Sequence, residues 1–116
     1  MLIEYFDDEV EELFFDEDIP EEPRRLDEIM AAHQELWDRI WYERSLMFEI
    51  RHRDAGEDEE LEQMLNTAGP GRKRVEETYT RPGDLGPYTN FEWGMLNGKL
   101  SALNWVLGEE WDYLDT

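Results

Sequence analysis

The chain contains no cysteine. That excludes disulfides, thiolate nucleophiles and thiolate metal ligands, and it suits a reducing compartment. No apolar run approaches the ~20 residues needed to cross a bilayer, so no membrane span is expected. The N-terminus lacks the basic start and apolar core of a signal peptide, and a cytoplasmic protein is expected. Histidine is scarce, with only His33 and His52. No Ser-His-acid or Cys-His arrangement can be assembled from so few candidates. Walker loops and dinucleotide fingerprints are missing as well. No catalytic residue, no metal ligand set and no cofactor is expected, and the expectation is a protein that is not an enzyme.

Positive charge is the scarcest commodity. Lys and Arg total 11 against 31 Asp and Glu, for a formal net charge of -20 over 116 residues. Such a field repels polyanions, so direct nucleic-acid binding and anionic membranes are disfavoured and a basic protein surface is favoured. The bland alternative is that the acidity serves solubility or adaptation to salt. With 40 % hydrophobic and 13 % aromatic residues, the chain is too apolar to be a disordered acidic polymer. One domain of about this size can bury roughly two thirds of its unfolded surface.

The acids are unevenly placed. The first twenty-two residues hold eleven carboxylates and no basic side chain. Leu2, Ile3, Tyr5, Phe6, Val10, Leu13, Phe14, Phe15 and Ile19 lie between them. A solvated tail has no use for Phe14-Phe15, so residues 1–19 are expected to dock on something. Ile3, Phe6, Val10, Leu13 and Phe14 follow spacings of three and four, which reads as one side of a helix over residues 2–15; an extended arm is the alternative.

From Pro23 to Ala55 there is no further proline and no glycine. Apolar residues from Leu26 to Ile50 recur at helical spacing, Arg51, His52 and Arg53 suit the negative end of a helix dipole, and Gly56 is a natural C-terminal cap. One helix of about 23–54 is predicted. At ~1.5 Å per residue it would be roughly 45 Å long and would need antiparallel partners. Asp58 to Asn66 reads as a short acidic helix, ended by Ala68-Gly69-Pro70-Gly71. Residues 67–88 read as an irregular connection, in which Val75 to Thr80 could form a strand.

Thr89 and Glu92 match a capping box, and Leu96, Leu100, Leu103 and Leu107 form one stripe ended by Gly108. A helix of about 90–107 is predicted. Gly94 and Gly98, one turn apart, suggest that a neighbour approaches closely on their side, and the helix is expected to pack on the long helix through that face. The fold class is therefore all-α, a small single domain over 1–116.

Glu49-Ile50-Arg51-His52 has Glu-x-x-His spacing, but a carboxylate-bridged metal site needs two such motifs. His33 is expected to be hydrogen-bonded and partly buried. Most of the five tryptophans should be core, with Trp111 the exception. Arg72-Lys73-Arg74 should pair with carboxylates, the chain's own or those of a second copy.

The expected function is an acidic binding protein, in one form a nucleic-acid mimic that occupies the basic surface of a nucleic-acid-binding protein. Carboxylates at three- and four-residue spacing lie ~5–6 Å apart and can approximate rows of phosphate. The candidate partner-binding residues are Asp7, Asp8, Glu11, Glu12, Asp16, Glu17, Glu57, Asp58, Glu59, Glu60 and Trp111. The alternative is a structural or assembly adaptor that forms a helical homodimer, its charge serving solubility.

Overall fold

With neither proline nor glycine between Arg24 and Ala55, nothing interrupts backbone hydrogen bonding, and the segment forms one helix, α1 (Leu26–Asp54). A computed structural model describes residues 22–111, in which α2 (Asp58–Thr78) and α3 (Asn90–Val106) follow and no strand is present. The proposed helix over 2–15 lies outside the described residues. Asp27 and Glu28 occupy the first turn of α1 and Arg51, His52 and Arg53 the last, each matched to the dipole. Gly56, at φ +73°, supplies the left-handed residue that ends the helix and turns the chain into α2.

α2 corrects the sequence reading. It runs 21 residues, straight through Ala68-Gly69-Pro70-Gly71, so neither a short helix nor an irregular segment over 67–78 is observed. The expected strand is absent too: Val75 is fully buried within α2. Pro70 removes one backbone donor and crowds the preceding turn. Packing on α1 offsets that cost. Gly71 lets the Trp41 ring come so near that a Cβ there would stand 3.0 Å from it. Arg72 reaches across to Glu49 at 2.8 Å and to the Ser45 carbonyl at 2.7 Å.

α3 begins as its sequence predicts. Thr89 Oγ1 accepts from Glu92 N–H at 3.1 Å, and Thr89 N–H donates to Glu92 Oε1 at 2.9 Å. The core joins Leu36 and Ile40 of α1 to Leu96 of α3, with Tyr88, Trp93, Leu100 and Leu103 packed around them. The leucine stripe therefore faces α1. The glycine face does not: nothing lies within 4 Å of a Cβ at Gly94 or Gly98.

Hydrogen bonds set the orientation. His33 meets Asn104 at 2.7 Å and Arg44 meets Asn97 at 3.4 Å, so α3 runs antiparallel to α1. Arg74 donates to Asp38 and Arg72 to Glu49, so α2 does as well. Both pack on α1, and they do not pack on each other. The connection between them crosses α1 on one side, where Arg39 Nε donates to the Asp84 carbonyl at 2.8 Å and the Arg39 guanidinium sits over the Tyr88 ring. Tyr88 OH also donates to that carbonyl.

Candidate binding surface

Between α1 and α2 lies a polar seam. Asp38 is 2 % exposed and takes donors from three sides: Arg74 at 2.8 and 3.2 Å, Tyr79 OH at 2.8 Å and Gln34 at 2.8 Å. Burial alone would raise its pKa, but hydrogen bonds from Arg74, Tyr79 and Gln34 outweigh it and hold the carboxyl below its usual range. Burial and the Asp38 anion push Tyr79 up to about 12. On the same seam the Glu76 carboxylate, accepting from its hydroxyl, is the first cause of a Tyr42 pKa of about 12. Every polar group around Asp38 has a partner, so the seam is structural. Asp38 carries only a faint signal in the sequence, an acid one turn from Gln34 among the large apolar residues of a helix that must bury one side.

The expected pairing of the basic cluster is found for two of its three members. Arg72 holds Glu49, lowering the carboxyl's pKa through that hydrogen bond first, and Arg74 holds Asp38. Lys73 is exposed. Glu49 also pairs with Arg53, and His52 lies 3.5 Å from Glu57. Among the described residues no three His, Asp or Glu side chains are gathered as metal ligands. His33 is half-buried on Asn104 and stacked on Trp37.

The tryptophans correct a second expectation. Trp37 is 52 % exposed, Trp105 51 % and Trp111 64 %, while Trp41 and Trp93 are half-buried. Most of them are surface. Trp111 packs edge-on against Trp105, ring centres 5.0 Å apart.

The exposed apolar residues are ordered. An α-helix turns about 100° per residue, and that rotation puts Leu26, Met30, Trp37 and Phe48 on one side of α1 together with Arg44 and Arg51. The side touching α3 carries Leu36 and Ile40; the side touching α2 carries Asp38, Ser45 and Glu49. The Trp37 face lies between them, opposite the side crossed by the connection. It carries no acid. Arg51 sits over the Phe48 ring at 5.4 Å. A cavity of 210 Å³ opens beside Trp37, lined also by Trp41, Arg44, Asn97, Leu100 and Ser101. The outer side of α3 is acid-free as well, with Phe91 76 % exposed beside Met95, Gly94 and Gly98.

The acids gather elsewhere. Asp54, Glu57, Asp58, Glu59, Glu60 and Glu62 crowd the α1–α2 turn and the first turns of α2, all of them exposed. Glu57, Asp58, Glu59 and Glu60 thus form one acidic end, some distance along α1 from Trp111 near the close of α3; the structure does not bring the two together. Asp7, Asp8, Glu11, Glu12, Asp16 and Glu17 lie outside the described residues. Among the described residues no helix is long and apolar enough to cross a membrane. Compared with protein-family models, with curated proteins and with solved structures, the chain matches none.

Proposed function

We propose that this is a non-enzymatic binding protein that presents carboxylates to the basic surface of another protein, in its sharpest form as a mimic of nucleic acid. The observation that supports it is the segregation of charge. Exposed acids are concentrated at the α1–α2 turn, and residues 1–21 add ten more with no base, while whole faces of α1 and α3 carry none. A charge placed only for solubility would be spread over the surface. Concentrated carboxylates steer a basic partner and hold it in register.

The test is retention of proteins from source-cell extract on the immobilised chain, against a variant with Glu57→Gln, Asp58→Asn, Glu59→Gln and Glu60→Gln. The expected result is a basic protein that the parent chain retains at low salt, that the variant retains poorly and that added duplex DNA displaces. The same proteins held equally by both chains would remove the acidic end from the function.

A helical homodimer is the second reading, favoured by the outer side of α3, where Phe91, Met95 and Trp105 surround two glycines with open space above them. Sedimentation at rising concentration separates the two readings, since only the second requires self-association.

A further inference from the structure

The Trp37 face of α1 poses a question of charge. Seven of the chain's nine arginines sit within ion-pair distance of a carboxylate: Arg24, Arg25, Arg39, Arg53, Arg72, Arg74 and Arg81. The two without a carboxylate partner among the described residues are Arg44 and Arg51, and both lie on this face. In a chain with nearly three acids per base, two neighbouring arginines left without an acid mark a place where acids arrive from outside the described helices.

Residues 1–21 supply what the face lacks. They carry ten acids and no base, and large apolar residues at helical spacing between them. The connection is short: Glu22 stands four residues before Leu26, where the face begins. From Leu26 to Arg51 the face is ~37 Å long, and residues 2–15 as a helix would span ~20 Å, which leaves residues 16–22, with Pro20, to reverse the chain. The cavity beside Trp37 matches an aromatic side chain in size. An apolar cavity of ~150 Å³ accepts benzene, and this one measures 210 Å³.

We propose that residues 2–15 lie antiparallel to α1 along the Trp37 face of the same chain, as a fourth helix between α2 and α3. Ile3, Phe6, Val10, Leu13 and Phe14 cover Trp37 and Phe48, acids at the edges of that apolar side meet Arg44 and Arg51, and the remaining acids point outward. Coverage of this face is independent of whichever partner the acidic end binds.

The absence of cysteine makes a direct test simple. Ile3→Cys with Arg44→Cys is compared in the full chain with Ile3→Cys with Glu77→Cys, whose second site is on the exposed side of α2. Docking raises the local concentration of one thiol at the other, so under mild oxidation the first pair should close an intramolecular disulfide about tenfold faster than the second. A second measurement leaves α1, α2 and α3 untouched. The combined change Phe6→Asp, Val10→Asp and Phe14→Asp should uncover the face, raising binding of a hydrophobic dye several-fold at unchanged helix content. Equal closure rates in the two cysteine pairs overturn the proposal, as does a disulfide-linked dimer, which would give the face to a second copy. Equal dye binding by the parent and a folded triple variant overturns it as well. If the triple variant loses its helices, the cysteine pairs decide alone.

Discussion

Arg74 grips Asp38 with both arms of its guanidinium, Nη2 to Oδ1 at 2.8 Å and Nη1 to Oδ2 at 3.2 Å, and so fastens the last turns of α2 to the middle of α1. The carboxylate is buried while the arginine remains half in water. The two ends are therefore not equivalent in energy. Asp38→Ala leaves the Tyr79 hydroxyl without its acceptor under the helix, and it should cost about 2–4 kcal/mol. Arg74→Ala leaves Asp38 with the donors of Tyr79 and Gln34 and should cost less. Urea denaturation of both variants measures the difference; a larger loss from Arg74→Ala would contradict this ranking.

The same seam sets the pH limits of stability. The Asp38 pKa is lower in the folded chain than its ordinary value of 3.8. Its contribution is present above that value and is lost as pH falls through the lower, folded one. The Tyr79 pKa is raised from 10.0 to about 12. Its contribution is present below 10.0 and is lost as pH rises towards 12. Melting temperature should fall on both sides, and Tyr79→Phe should remove its part of the alkaline loss. An alkaline limb unchanged in Tyr79→Phe would place that loss elsewhere.

Gly98 reverses the expectation drawn from its spacing. Sequence alone suggests a close neighbour, for which a side chain would be disruptive. The structure leaves open space at this position. Gly98→Ala should therefore stabilise α3 by about 0.5–1 kcal/mol, the helix-propensity difference. Loss of stability, with a shift from dimer to monomer in sedimentation, would show that a second chain covers this side.

Pro70 and Gly71 should separate cleanly. Pro70 is exposed within α2, so Pro70→Ala restores a backbone donor and relieves crowding; stability should rise by about 1–2 kcal/mol. Gly71→Ala sets a methyl 3.0 Å from the Trp41 ring. It should be less stable by about 1–2 kcal/mol than Gly69→Ala, where nothing is near. Thermal melts followed by circular dichroism decide both comparisons.

α1 and α3 were legible because their signals are local. An uninterrupted apolar spacing marks the first, and the Thr89–Glu92 box with a leucine stripe marks the second. α2 was not, because its continuation past Pro70 depends on contacts with α1: the Gly71–Trp41 approach, the Arg72–Glu49 pair and the burial of Val75. Propensity cannot report those. The acids at Glu57–Glu60 were legible as exposed charge. The acid-free face was not, because composition counts carboxylates without saying which side of a helix they avoid, and that side becomes visible only when α2 and α3 are known to flank it.

α2 and α3 each touch α1 and not one another. Mechanically, the described helices are two hairpins hung on a single spine. Either can open without breaking a contact of the other, so the molecule has two routes to partial unfolding in place of one all-or-none transition. Slow hydrogen exchange should then concentrate in the middle of α1, with α2 and α3 exchanging earlier and at independent rates. A helix wedged between them would couple the two routes, and α2 and α3 would exchange together.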